Sequence, residues 1–367
     1  MRGSVAVITP IHVLADDLSG AAEVAGGFLG RESDLVLRLG GGPNSTGVTV
    51  VDLNTRTMTE ADAVRTVGEA LDGVAAGTRV VKKIDSLLRG HIRAEVAVLA
   101  ERGPVTVAVA LPALQRRTAG GVLYLGDTPL HETGAWHAEP TGPPRSVAEL
   151  FDGLAGVEVC DAATDADLDE IVRTRGPGVQ FVGTAALTAA IARTLPAAAT
   201  PRIPRRSARA VLAVVGTAAP VVQKQISALD PAGLATVVID SRALLHDKAE
   251  PEPVHRALER GTAVVTIGGT VEPAEASAVS RALAAFVAAV QARTVPDLVL
   301  TGGETARAVV DAIGISSLRP VHQIHHGAVV SVAPDGRRVV TRPGSFGDTD
   351  SLSAIVRYLN QRNEDDS

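Results

Sequence analysis

Short runs of β-branched and aliphatic residues alternate along the chain with longer stretches rich in alanine, leucine and arginine. Strand-like runs followed by stretches of helical period are the pattern of α/β layers. In the first half this predicts strands at Ile11–Ala15, Gly47–Val51, Arg79–Ile84, Val105–Ala110 and Gln180–Val182. Helices are predicted over Ser19–Leu29, Thr59–Val74, Ser86–Arg102 and Ala185–Thr194. Gly126–Pro144, rich in Gly, Pro, His and Thr, reads as a long functional or covering loop. Pro196–Arg209 carries three prolines and four arginines among small residues, the composition of a linker. Beyond it the pattern restarts, with strands at Ala210–Val215, Ala235–Ile239, Ala263–Ile267 and Leu298–Leu300 and helices over Glu304–Ile313 and Thr349–Leu359. Pro334-Asp335-Gly336 is a tight-turn signal between strands Ala328–Val332 and Arg337–Thr341. The expected architecture is α/β: two three-layer α/β/α domains, residues 1–200 and 210–367, with a cleft between them.

Composition narrows the function. With 46% apolar residues over 367, the chain has material for two cores. A net charge of −6 offers no basic stripe for nucleic acid, and 2% aromatics leave few stacking platforms, so no nucleic-acid partner is expected. The single Cys160 excludes a disulfide framework and suits a reducing compartment. The N-terminal apolar run is short and broken by Asp16 and Asp17, unlike a secretory signal, and the apolar Ala282–Val290 is too short to span a bilayer. A cytoplasmic protein without membrane contact, acting on a small molecule, is the expectation. Lysine occurs only at Lys82, Lys83, Lys224 and Lys248, which makes the adjacent pair conspicuous.

Candidate chemistry lies at strand ends, where open parallel sheets collect ligands. Gly302-Gly303-Glu304-Thr305 joins a strand to a helix, and open amides at such a helix start favour an anion. An ordinary tight turn would look the same. Two further turns in the same half strengthen the anion reading: Gly344-Ser345-Phe346-Gly347-Asp348, and Gly216-Thr217-Ala218-Ala219, which leads into a helix carrying Lys224. Three such turns suit a polyphosphate, although neither G-x-x-x-x-G-K-[ST] nor a helix-opening G-x-G-x-x-G is present. In the first half, Asp16-Asp17 ends a strand and is followed by Ser19 and a helix. Either carboxylate can act as a base, hold a hydroxyl or metal, or simply cap the helix. Lys82-Lys83-Ile84-Asp85-Ser86-Leu87-Leu88-Arg89-Gly90 ends another strand, its basic groups suited to an acidic substrate or to a salt-bridged helix start. His322, His325 and His326 lack the carboxylate or thiolate company of a metal site, His91 suits substrate contact or capping, and Trp136 can shield a cleft.

The combination is similar to a known family. Asp16-Asp17-Leu18-Ser19-Gly20-Ala21, Lys82 to Gly90, Leu111-Pro112-Ala113-Leu114 with Arg117-Thr118, Gly302 to Val309 and Pro343 to Asp348 together resemble the four-carbon acid sugar kinase family across nearly the whole chain. The resemblance implies an N-terminal sugar-acid-binding domain, a C-terminal nucleotide-binding domain, and ATP-dependent phosphorylation of a terminal hydroxyl. It assigns the first-half cluster to the substrate, with contacts expected from Ser19, Arg56, Lys83, Asp85, Ser86 and Arg89; Asp17 is expected as base or orienter of the attacking hydroxyl with Asp16 in support, and Lys83 and Arg89 on the carboxylate. ATP falls to Gly216, Thr217, Gly302, Gly303, Glu304, Thr305, Gly344, Ser345 and Gly347, with Mg²⁺ bound mainly through the nucleotide and no protein metal site. A homodimer is admitted. The chain departs from the family pattern at Leu87, where threonine is usual, at Ala218-Ala219 in the nucleotide turn, at Asn54-Thr55-Arg56, and at Gln115, where a glycine usually precedes the arginine. The rival expectations are a non-catalytic two-lobed sugar-acid-binding protein and, further off, a dehydrogenase or aldolase acting on the same acids.

Overall fold

The structure is a computed structural model that describes residues 9–31, 34–41, 44–136, 139, 141–199, 209–216, 220–229, 234–344 and 347–360. The chain divides into two compact units, Met1–Thr200 and Pro201–Ser367. The core of the predicted linker, residues 200–208, lies outside the described residues.

The first unit contains strands β1 (Ile11–Ala15), β2 (Leu35–Arg38), β3 (Val48–Asp52), β4 (Arg79–Lys83), β5 (Val105–Ala108), β6 (Arg116–Ala119), β7 (Val122–Leu125), β8 (Thr128–Pro129), β9 (Val157–Val159) and β10 (Gln180–Gly183). Its helices are α1 (Leu18–Gly27), α2 (Glu60–Asp72), α3 (Ile92–Ala100), α4 (Val147–Leu150), α5 (Asp165–Thr174) and α6 (Ala185–Arg193). Seven strands form a parallel sheet in the order β2-β3-β1-β4-β10-β5-β9. Leu14, Val51 and Val182 on one sheet face pack with Val67 and Leu71 of α2 and Val96 and Leu99 of α3. Helices α1, α6 and α5 pack side by side as the other layer. The central strands are buried throughout, which explains why they read as unbroken apolar runs rather than alternating ones.

The second unit contains β11 (Val211–Val215), β12 (Ala235–Asp240), β13 (Thr262–Gly268), β14 (Asp297–Thr301), β15 (Ser317–His325), β16 (Ala328–Val332) and β17 (Arg338–Arg342). Its helices are α7 (Pro220–Ser227), α8 (Ser241–Leu245), α9 (Glu252–Glu259), α10 (Ala276–Gln291), α11 (Gly303–Ala312) and α12 (Ser351–Asn360). The strand order is β12-β13-β11-β14-β17-β16-β15, parallel through β17 and antiparallel at the β16–β17 hairpin and the β15–β16 pair. Val222 and Ile226 of α7 and Leu352 and Ile355 of α12 cover one face, packing with Val211, Ala213, Val215, Val299 and Val340 of the sheet.

Two expectations need correction. The helix predicted from Ser86 begins only at Ile92, because Leu88 (φ 63°) and Gly90 (φ 96°) are left-handed and cannot lie inside an α-helix. The segment Gly126–Pro144, expected as one long loop, carries β8, paired with β7, and 3-10 turns at Leu130–Glu132 and Gly134–Trp136. No helix among the described residues is long and apolar enough to cross a membrane.

Candidate active site

In the first unit, β1 lies between β3 and β4. The chain leaves β1 for β2 and β3 on one side and crosses back to β4 on the other, so the winding reverses between β1 and β4. The space beyond their carboxyl ends is the topological switch point at which doubly wound sheets take ligands. Asp16 and Asp17 follow β1; Lys83 ends β4, and Asp85 and Ser86 come next.

Asp17 is the N-cap of α1, its Oδ1 accepting from the Gly20 amide at 2.9 Å. Arg56 comes from the 3-10 turn after β3 and inserts among three carboxylates. Its Nη2 lies 2.8 Å from Asp16 Oδ2, 3.2 Å from Asp17 Oδ1 and 3.7 Å from Asp85 Oδ1. The two adjacent carboxyls are driven apart. Burial pushes Asp17 above the usual carboxylate range, Arg56 and Lys83 offset only part of that, and Asp16 adds to it. Burial acts on Asp16 too, but Arg56, Lys82 and Lys83 outweigh it and hold Asp16 low. Such divergence separates a proton acceptor from a permanently ionised support.

The lysine pair splits across the sheet, as strand alternation requires. Lys82 is buried in an ion pair with Glu95 of α3 at 2.9 Å, a structural role. Lys83 Nζ donates to the Ile84 carbonyl at 2.9 Å, and among the described residues no carboxylate lies within ion-pair distance of it. A Cβ on Gly20 would lie 2.7 Å from Asp17 Oδ1 and 2.8 Å from Lys83 Nζ, so these two groups converge over the bare glycine.

Arg89, expected to be open to a substrate carboxylate, closes its fork on Asp85 through Nε at 2.8 Å and Nη2 at 2.9 Å. With Arg56, this holds Asp85 well below the usual carboxylate range against its burial. The segment is pinned by Trp136, whose indole N–H donates to Leu87 O at 2.7 Å. His91 is neither a side-chain cap nor in this cluster; its Nε2 meets the Met58 carbonyl at 2.7 Å.

Sequence reasoning passed over Arg116. Its Nη1 donates to Ser86 Oγ, while its Nε is buried without a partner. Gln115 in the left-handed region (φ 53°) turns β6 so that this arginine reaches Ser86. The missing glycine hid the turn. Asp16 Oδ1, Ser19 Oγ and Thr55 Oγ1 are likewise buried and unpartnered. Buried polar atoms are normally satisfied, so four such atoms on the segments around one switch point mark a ligand site.

In the second unit the winding reverses at β11 and β14, and Gly216, Gly302 and Gly344 follow the carboxyl ends of β11, β14 and β17. Gly302 (φ 93°) caps α11 without a side-chain bond, leaving the first amides of the helix, at Gly303, Glu304 and Thr305, open. Gly302 N–H donates to Arg342 O at 3.0 Å, tying the β14 turn to β17. Gly216 packs directly on Thr305: a Cβ there would lie 2.0 Å from Thr305 Oγ1. The Glu304 carboxylate turns away to accept from Ser277 at 2.5 Å. Gly344 and Gly347 flank the β17 turn, while Thr217 and Ser345 lie outside the described residues. A buried network supports this turn. Arg342 donates to Ser351 Oγ at 2.6 Å and to Gln225 Oε1 at 2.5 Å, and Gln225 donates to the Asp348 carbonyl at 2.7 Å. Ser351 also bonds His325 at 2.8 Å, and His322 stacks on Tyr358. Among the described residues no group of three or more His, Cys, Asp or Glu is gathered to hold a metal.

Residues 11–152 match the family described as a sugar-binding N-terminal domain, and residues 212–352 that described as a nucleotide-binding C-terminal domain. A D-threonate kinase of Cupriavidus necator is 31% identical over 93% of this chain and 95% of its own. A D-erythronate kinase of Heliobacterium modesticaldum is 25% identical over 95% and 97%. Among solved structures, Haemophilus influenzae protein HI1011 shares the fold with a TM-score of 0.68 at 18% identity, over 94% of this chain and 98% of that one. Full-length likeness, two matched domains in order and a carboxylate–lysine cluster at the first switch point agree: the chain belongs to the four-carbon acid sugar kinase family.

Proposed function

We propose that the protein transfers the terminal phosphoryl group of ATP to a terminal hydroxyl of a four-carbon sugar acid of the threonate, erythronate or 3-oxo-tetronate type. The observation that carries this reading is the cluster at the carboxyl ends of β1 and β4: Asp17 beside Lys83, which has no ion-pair partner among the described residues, and orphaned polar atoms on the same segments. In this reading residues 1–200 bind the acid and residues 210–367 bind the nucleotide.

Asp17 accepts the proton of the attacking hydroxyl as its oxygen bonds to the γ-phosphorus and the bond to ADP breaks. Asp16 stays ionised and fixes Arg56, which holds the carboxylate trio in register. Lys83 and Arg116 take the substrate carboxylate, because the fork of Arg89 is closed on Asp85. Ser19 and Ser86 hold substrate hydroxyls. The open amides of α11 receive phosphate oxygens, where the helix dipole contributes roughly 0.3–2 kcal/mol. Gly216, Thr217, Gly344, Ser345 and Gly347 complete the nucleotide cradle. Mg²⁺ would enter with ATP, bound mainly through the nucleotide, and would supply neutralisation of phosphate charge.

The test is ADP release stimulated by substrate. Four-carbon acids should accelerate ADP formation from Mg-ATP, and the corresponding uncharged tetritols should not. Equal stimulation by both would remove the carboxylate site from the account.

A further inference from the structure

Among the described residues the buried lysines and arginines are Lys82, Lys83, Arg337, Arg338 and Arg342. Lys82 pairs with Glu95 at 2.9 Å, Arg337 with Asp335 at 2.6 Å and Arg338 with Asp297 at 2.7 Å. Lys83 and Arg342 alone of these have no carboxylate within ion-pair distance among the described residues. Lys83 lies at the first unit's switch point. Arg342 ends β17 in the second unit, in register with Thr301, the last residue of β14. It is 1% exposed and bonds only neutral groups: Nη1 donates to Ser351 Oγ, Nη2 to Gln225 Oε1, and Nε has no partner. Burial lowers its pKa to about 10, so it remains cationic at neutral pH.

A buried cation without a counter-charge is costly, and the cost falls when an anion binds nearby. The surroundings of Arg342 indicate where that anion sits. Its carbonyl accepts the Gly302 amide at 3.0 Å, beside the open amides of α11. Pro343 and Gly344 follow it directly in the chain. The guanidinium turns the Gln225 oxygen toward itself, so Gln225 Nε2 donates to the far end of the β17 turn, at the Asp348 carbonyl (2.7 Å) and the Gly347 carbonyl (3.3 Å). Arg342 thus holds both ends of that turn and abuts the next one. Its side chain has almost no surface for a ligand, so it acts through the turns and through its charge, which burial leaves weakly screened. We propose that Arg342 is a positioning residue for the nucleotide: its buried charge complements the polyphosphate, and its bond to Gln225 fixes the β17 turn. This rests on reading these turns as the nucleotide cradle.

The experiment is calorimetric titration of the native full chain, Arg342→Gln and Arg342→Lys with sodium tripolyphosphate, ATP and adenosine. Arg342→Gln should bind tripolyphosphate and ATP at least about tenfold more weakly, with adenosine affinity unchanged. Arg342→Lys keeps the charge and should recover most of that loss. In the native chain, the NMR signal of the Arg342 Nε–H should shift on saturation with tripolyphosphate and stay in place with adenosine, a readout that needs no variant to fold. Undiminished tripolyphosphate binding in Arg342→Gln, an equal loss in Arg342→Lys, a matching loss of adenosine, or an unmoved Nε–H would overturn this inference and leave the nucleotide reading standing. A native chain that binds neither tripolyphosphate nor ATP would remove the nucleotide reading and this inference with it.

Discussion

Asp17 caps a helix and carries the raised pKa of a proton acceptor, and the two roles are compatible because they use different oxygens. Oδ1 accepts the Gly20 amide, and Oδ2 accepts from Arg56 at 3.3 Å. Asn in its place keeps a capping oxygen but loses the base. Asp17→Asn should therefore lower kcat by roughly 10²-fold or more, the scale of general-base catalysis, with ATP affinity and thermal stability little changed. The pH profile carries the sign: because the Asp17 pKa is raised, kcat should fall on acidification at a higher pH than an ordinary carboxylate would dictate. Arg116 makes a separate prediction. Arg116→Ala should raise KM for the acid roughly 10- to 100-fold, the range of a lost charge-assisted hydrogen bond, while KM for ATP stays put. Arg116→Lys should recover part of the loss through charge alone. An unchanged acid KM in the alanine variant would return the carboxylate to Arg89. The carboxylate pair and Lys83 were legible in the sequence because strand ends and alternation announce them. The Arg89–Asp85 pairing was not, because sequence alone cannot say whether a fork faces a ligand or its neighbour.

Elements explain the glycine turns better than motifs do. Gly216 is required because Thr305, at the start of α11, fills the space its Cβ would need. Gly216→Ala should destabilise the protein by roughly 1–3 kcal/mol, the usual cost of overpacking, and weaken nucleotide binding. Thr305→Ala in the same chain should restore stability but only part of the affinity; urea unfolding and ATP titration separate the two. The strand–turn–helix units around Gly216, Gly302 and the β17 hairpin followed from apolar runs and turn residues. Strands β2, β9 and the β6–β8 sheet were not found, because each is at most four residues long and only partly buried, too short for even the apolar Leu35–Leu37 and Val122–Leu125 to stand out as strands. The helix start after β4 was misread for a different reason. Leu88 is left-handed yet 2% exposed, so packing of the whole segment overrides a local preference that sequence alone would trust.

At the scale of the molecule, two α/β units each present a switch point, one lined with carboxylates and amines and the other with glycine turns. Such a division suits a reaction between an acid and a polyphosphate. Stability has its own whole-molecule signature. A histidine buried neutral lowers stability as pH falls, because the unfolded chain takes up a proton near the ordinary histidine pKa of 6.5 and the folded chain only at about 4. His12 should thus cost up to about 3 kcal/mol across that window. The thermal midpoint of the native chain should drop further between about pH 7 and pH 4.5 than that of His12→Asn, and parallel curves would place the imidazole in water. The central claim meets its most direct test in mass-resolved phosphoryl transfer. The protein is incubated with Mg-ATP and a panel of D- and L-threonate, D-erythronate and 3-oxo-tetronates. The account predicts that at least one acid gains a single phosphoryl group in step with ADP formation. Stable ATP binding with no phosphorylated acid anywhere in the panel would contradict it.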